Sequence, residues 1–158
     1  LFAELRLLYD WHNLKFIQRL GPEPFDLTVD KFKEMLTPKK TKIKPLLMDQ
    51  TFISGVGNLY AAEVLFRAKI HPERPAQSLS DKEKENLFQE IKDTLTEAIQ
   101  HKGSSLDQYL QLSGQPGDYV RYHKVYGREG KPCLVCKTLV KRIALGGRGT
   151  YFCPKCQR

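Results

Sequence analysis

Asp49-Gln50-Thr51-Phe52-Ile53-Ser54-Gly55-Val56-Gly57-Asn58-Leu59-Tyr60-Ala61-Ala62-Glu63-Val64-Leu65-Phe66-Arg67 is the stretch on which the fold turns. Gly55 and Gly57 interrupt it and permit a tight turn with positive φ. From Asn58 to Arg67 the residues are almost all apolar, which predicts a helix buried on several sides that stops before His71-Pro72. Asn58 stands where it caps that helix, and free N–H groups at a helix start attract an anion such as phosphate. Upstream, Ile43 through Gln50 reads as a shorter helix with Pro45 tolerated in its first turn. Lys39, Lys40, Lys42 and Lys44 form a basic connector before it. Helices joined by glycines are often only structural, so the turn by itself assigns no function.

Working outward, Val29, Phe32, Met35 and Leu36 recur at helical spacing, with Asp26 or Thr28 as the N-cap and Thr37-Pro38 as the stop. Ser80-Asp81-Lys82-Glu83 fits a capping box. Behind it Leu87, Phe88, Ile91, Leu95, Ala98 and Ile99 trace one face of a long helix, and Gly103 serves as its C′ stop. A shorter helix is expected over Leu106 to Leu112. At the other end, Ala3, Leu5, Leu7 and Tyr9 alternate as one face of a strand, and Leu14–Ile17 reads as a second β segment. Two strands make no stable sheet alone, which points to a further N-terminal part. Gly21-Pro22-Glu23-Pro24 then breaks the chain.

All four cysteines lie in Cys133-Leu134-Val135-Cys136 and Cys153-Pro154-Lys155-Cys156, a C-x2-C-x16-C-x2-C pattern. Two such knuckles supply four thiolates to one tetrahedral Zn²⁺, and sixteen intervening residues allow a β-hairpin to return the chain. Four protein ligands close the coordination shell, so this zinc is structural. The alternative, a pair of disulfides, needs an oxidising compartment for which nothing in the chain argues. The hairpin carries Lys137, Lys141, Arg142 and Arg148. Lys137 and Lys141 read as solvated surface, whereas Arg148 lies among Gly146, Gly147 and Gly149, where a backbone approaches a ligand closely.

Charge is uneven along the 158 residues. Residues 1–118 hold 16 basic and 17 acidic side chains, whereas residues 119–158 hold 10 basic ones and a single acid, Glu129. The formal +8 is therefore concentrated in the last forty residues, which favours a polyanion partner. No apolar run approaches the roughly 20 residues that span a bilayer, so no membrane partner is expected. His12, His71, His101 and His123 show no metal-ligand spacing. His101 is placed near a helix C-terminus, where a cation is favoured. Glu63, alone on an apolar helix, reads as a hydrogen-bond partner and not an acid catalyst, and Trp11 reads as sheet packing.

Several of these segments together resemble the formamidopyrimidine-DNA glycosylase family. Asp49–Glu63 is similar to its helix–two-turns–helix motif, and Ile70-His71-Pro72 continues the likeness. Val125-Tyr126-Gly127-Arg128-Glu129-Gly130-Lys131-Pro132-Cys133 resembles the entry to its zinc finger, and Arg148 to Arg158 resembles the finger's hairpin and end. Leu20–Pro24 resembles the junction to its N-terminal β-sandwich. The resemblance covers roughly residues 20–158 and implies a mainly α architecture. It comprises the end of the sandwich and a linker over 1–24, a helix–two-turns–helix domain over 25–118, and a four-cysteine zinc finger over 119–158.

The family excises oxidised purines, 8-oxoguanine and formamidopyrimidines, from duplex DNA and cleaves the abasic strand as an AP lyase. The resemblance therefore implies damaged duplex DNA as partner, one structural zinc as cofactor, a monomer, and a cytoplasmic, nucleoid-associated protein. Lys44, Asn58, Tyr126, Arg142 and Arg148 match its DNA contacts, and Cys133, Cys136, Cys153 and Cys156 its zinc ligands. Its nucleophile is the amine of an N-terminal proline, followed by a glutamate, both on the sandwich. Pro22-Glu23 is internal and has no free amine, so the resemblance places no catalytic residue in this stretch and implies that it is inactive alone. Phe2 matches the phenylalanine wedged into the helix, although Ala3 stands where the family has glycine. Ser113–Tyr122 resembles the loop that covers everted 8-oxoguanine, which favours this family over an endonuclease VIII-type glycosylase. Other readings are a non-enzymatic zinc-containing nucleic-acid or ribosome-binding module, and a zinc-stabilised protein-interaction domain.

Overall fold

A computed structural model of the chain describes residues 14–104 and 117–158. The expectations for the strand at 1–9, for Phe2, Trp11 and His12, and for the helix at 106–112 fall outside the described residues. So does part of the loop at 113–122. Where strand was expected at Leu14–Ile17, the chain forms a single helical turn, α1, Lys15–Gln18. Leu14 is extended and its carbonyl accepts the Gln18 N–H at 3.0 Å. Four residues are too short a window for alternation to exclude one turn of helix.

α2 runs Val29–Leu36, and Thr28 is its N-cap, with its hydroxyl accepting from the Lys31 N–H. α3 is shorter than expected, Ile43–Leu47, and α4 spans Asn58–Arg67. α5, Asp81–Gln100, opens on a complete capping box in which Ser80 and Glu83 bond reciprocally. Its end is a Schellman turn displaced by one residue from the expected glycine. Lys102 takes the left-handed C′ position (φ 58°), and the Gly103 N–H reaches the Ala98 carbonyl at 2.8 Å.

Phe32 of α2 stacks on Phe88 of α5 with ring centroids 5.0 Å apart and lies 6.4 Å from Phe52 in the turn after α3. Around them Leu36, Ile43, Leu47, Ile53, Val64, Leu65 and Ile91 are fully buried. The continuous hydrophobicity of α4 has a plain cause: it serves two cores. Ala61, Val64 and Leu65 face the helical core, whereas Ala62 and Phe66 pack with Val125, Cys133, Val140 and Cys153.

The C-terminal unit is one antiparallel hairpin, β1 Lys141–Leu145 and β2 Arg148–Phe152, in the register Lys141↔Phe152 to Leu145↔Arg148. Its two-residue turn, Gly146-Gly147, has both φ positive, 58° and 72°, as a twist-matched tight hairpin requires. The C-terminus is tied back to the segment after α4. Gln157, 2 % exposed, accepts from the Cys153 N–H at 2.8 Å and donates to the Ile70 carbonyl at 3.0 Å. The His71 N–H donates to the Arg158 carbonyl at 2.9 Å. No described helix is long and apolar enough to cross a membrane.

Candidate metal centre and nucleic-acid interface

Both knuckles turn the same way. The Lys137 N–H donates to the Cys133 carbonyl at 3.0 Å, and the Gln157 N–H to the Cys153 carbonyl at 3.1 Å. Each knuckle thereby points two thiols inward, and all four Sγ atoms lie within 4.8 Å of one another. Cys133–Cys156 and Cys136–Cys153 are separated by 3.9 and 3.4 Å, and the cysteines are free thiols. Four sulfurs at about 2.3 Å from a tetrahedral Zn²⁺ sit about 3.8 Å apart, so the donor set fits one zinc and needs no rearrangement. The Thr138 hydroxyl and N–H hold the Cys136 thiol down to about 6, whereas burial pushes Cys153 and Cys156 up. Metal binding by thiolates therefore releases protons from the cluster.

Ahead of the finger, Lys44 of α3 is fully buried yet carries an ammonium. Burial, and then the nearby Arg148 guanidinium, push its pKa from 10.5 to about 8. Its Nζ donates to Asn58 Oδ1 at 2.5 Å and approaches Met48 Sδ at 3.4 Å. Asn58 does not cap α4. Gly57 is the N-cap in extended conformation (φ −99°), no side chain caps the helix, and Asn58 is the first helical residue. Of the two glycines only Gly55 has positive φ, 84°. With Gly57 as the N-cap, the Asn58 amide is free of capping, and its Nδ2 lies 3.4 Å from the Tyr126 hydroxyl.

The hairpin completes the cluster. Its tip reaches α3, since a Cβ on Gly146 would lie 3.5 Å from the Pro45 ring. This sets Arg148, the first residue of β2, beside Lys44. Arg142 lies over Tyr151 at 5.9 Å, and the edge of Tyr151 meets Tyr126 at 5.1 Å. Arg142 and Arg148 are thus exposed, Asn58 and Tyr126 are half-buried, and Lys44 lies buried beneath them, bonded to Asn58. Lys141 and Lys137 contribute nothing to the hydrogen-bonded cluster, and among the described residues no carboxylate forms an ion pair with Lys44, Arg142 or Arg148.

Two participants carried weak sequence signals. Glu63 is fully buried and its carboxylate accepts three consecutive N–H groups, from Lys124 (2.8 Å), Val125 (3.0 Å) and Tyr126 (2.8 Å). An acid on an otherwise apolar helix indicated a hydrogen-bond partner but not which one. His123 bonds Ser104 Oγ through Nε2 at 2.9 Å, and burial lowers its pKa against the pull of Glu63. Tyr122 stacks on His101, which is the C-cap of α5.

Comparison with known proteins agrees with this geometry. Residues 20–109 match the formamidopyrimidine-DNA glycosylase H2TH domain, and residues 130–158 match the zinc finger found in FPG and IleRS. A formamidopyrimidine-DNA glycosylase of Listeria innocua is 44% identical over 152 residues, 95% of this chain and 56% of that protein. The crystal structure of MutM (Fpg) from Thermus thermophilus superposes with TM-score 0.88 at 42% identity, over 94% of this chain and 57% of that one. Fpg of Lactococcus lactis, solved in complex with DNA containing an abasic site, gives 0.84 at 39% identity, over 90% and 54%. The chain spans a little over half the length of these relatives. With its helix–two-turns–helix motif leading into a four-cysteine finger, the chain belongs to the formamidopyrimidine-DNA glycosylase family.

Proposed function

We propose that this chain is the DNA-binding part of a base-excision glycosylase and AP lyase that removes oxidised purines from duplex DNA. One observation carries the reading. Exposed Arg148 lies beside the half-buried Asn58 amide and Tyr126 hydroxyl, with the buried Lys44 ammonium bonded beneath Asn58, and no described carboxylate neutralises either cation. Such a set suits phosphate oxygens, which accept from cationic and neutral donors alike. Everting a base costs a few kcal/mol of unstacking, and phosphate contacts on either side of the lesion offset that cost. On this reading Asn58 holds one phosphate over the buried Lys44 charge, Arg148 grips the phosphates flanking the everted nucleotide, and Tyr126 and Arg142 extend the contact. Zinc holds the hairpin and takes no chemical step.

The DNA complex of the Lactococcus relative supports this reading. So does the name formamidopyrimidine-DNA glycosylase carried by the Listeria relative, against an endonuclease VIII-type enzyme or a plain binding module. The protein would act as a monomer at the nucleoid.

The test is fluorescence anisotropy on a labelled duplex across a salt series. Wild type is expected to show a log–log slope of about −3 to −4 if about four phosphates are neutralised. Arg148→Ala is expected to weaken binding by about 1–3 kcal/mol and flatten the slope by about one unit. Asn58→Ala weakens binding and leaves the slope nearly unchanged, because the amide is neutral. Wild-type affinity for Arg148→Ala, with zinc and fold intact, overturns the two-clamp surface. Pro22 has no free amine, so this polypeptide alone is expected neither to excise 8-oxoguanine nor to trap on DNA with borohydride.

A further inference from the structure

Removing a negative charge from a protein that binds a polyanion should, by Coulomb's law alone, tighten binding. Glu63 is built so that the opposite follows. It lies in the middle of α4, is fully buried, and is packed between residues that serve the two cores. Its carboxylate fills a backbone concavity made by three successive N–H groups, Lys124, Val125 and Tyr126, at 2.8–3.0 Å. Such concavities ordinarily bind free anions. Here the occupant is covalently part of the helix whose first residue is Asn58.

The consequence concerns Tyr126. Its backbone is bound to Glu63, its ring is wedged between the edges of His123 (5.9 Å) and Tyr151 (5.1 Å), and its hydroxyl meets Asn58 Nδ2 at 3.4 Å. Asn58 and Glu63 sit on one rigid helix, so the Glu63 carboxylate sets how far the Tyr126 hydroxyl stands from the Asn58 amide. We infer that Glu63 is a positioning residue of the phosphate surface: it fixes the turn that enters the finger to α4 so that Tyr126 and Asn58 present their donors together. This rests on the DNA-binding reading above and adds to it a buried residue that never touches DNA.

A double-mutant cycle in the full 158-residue chain tests it. Glu63→Gln keeps the shape and one acceptor but sets an amide NH₂ against one of the three N–H groups. Binding of a short duplex at fixed salt is expected to weaken about five- to tenfold, against the Coulombic expectation, and Tyr126→Phe to weaken it similarly. The double variant is expected to be no weaker than about the larger single effect, whereas independent sites multiply to about 25- to 100-fold. Glu63→Gln with Arg148→Ala should combine multiplicatively.

Tighter or unchanged binding by Glu63→Gln, or a multiplicative Glu63–Tyr126 pair, overturns the inference. If Tyr126→Phe alone is silent while Arg148→Ala weakens binding, the inference fails and the DNA-binding reading stands. If wild type binds no DNA, both fail. Zinc content and helical circular dichroism accompany each variant, with Glu63→Asp as the charge-retaining second variant. Loss of fold by both Glu63 variants assigns the residue to folding alone and also overturns the inference.

Discussion

The most informative single residue is Lys44, a buried ammonium with no carboxylate partner among the described residues and an arginine for a neighbour. Its pKa, about 8 when folded against 10.5 ordinarily, has two consequences of opposite sign. In the free protein the unfolded chain binds more protons than the folded one between those values, so stability rises as pH climbs through that window. A bound phosphate favours the charged form, so DNA binding takes up a proton near pH 8. Affinity is therefore expected to fall about tenfold from about pH 7 to about pH 9. Lys44→Met should bind more weakly at neutral pH and show a flat profile over this interval. Anisotropy at constant ionic strength measures both, and a flat wild-type profile would show that the Lys44 charge takes no part in DNA binding.

At the scale of elements, α5 is the principal support of the helical core, and its first turn is tied down by several partners. Glu83 accepts from Ser80 N–H at 2.8 Å and from the Arg74 guanidinium at 2.5 and 3.1 Å. The Arg74 bond, with Ser80 behind it, holds the Glu83 carboxyl at about 2. A depressed carboxylate stabilises above its unfolded pKa, so this contribution is complete above about pH 4.5 and is lost as pH falls towards 2. Ser80→Ala removes the hydroxyl cap and is expected to cost about 0.5–2 kcal/mol in denaturant unfolding, with DNA affinity per folded molecule unchanged. The capping box is a local pattern within four residues and so is legible in sequence, whereas the sequence narrows the α2 cap only to Asp26 or Thr28, and the structure places it at Thr28. The one-turn helix at Lys15–Gln18 and the Gly57 N-cap of α4 are not legible there. Helix ends depend on which competing partner takes a side chain, and Asn58 is taken by Lys44 and Tyr126.

At the scale of the whole molecule, the described residues form two cores that share α4, and the four-cysteine metal site belongs to one of them. Chelation of zinc is expected to unfold the finger while α2, α4 and α5 keep their packing around Phe32 and Phe88. Helical circular dichroism should therefore persist while DNA affinity falls at least about tenfold, since Arg148 alone contributes about a charge-assisted bond. Retained affinity after zinc removal would place DNA binding elsewhere. Gln157→Ala leaves the four thiols intact but breaks the link from Cys153 to Ile70. It is expected to retain zinc, lower the melting temperature and loosen the finger against α4.

What the sequence determined by itself were features closed within a few residues or written in spacing. These are the 2-16-2 cysteine pattern, the helix periods, the Ser80–Glu83 capping box, and the concentration of positive charge. What the tertiary structure decided is how they meet. The Lys44–Asn58 bond spans 14 positions, Glu63 reaches residues 61 to 63 positions away, and Gln157 holds a carbonyl 87 positions back. The five proposed DNA contacts were named through family resemblance, but no local pattern states that Lys44 is buried or that Glu63 holds the backbone of Tyr126. Such bonds arise only after α4 has been packed from both sides. Burial then removes water from Lys44 and Glu63, and each must take whichever partner the packing has brought within reach.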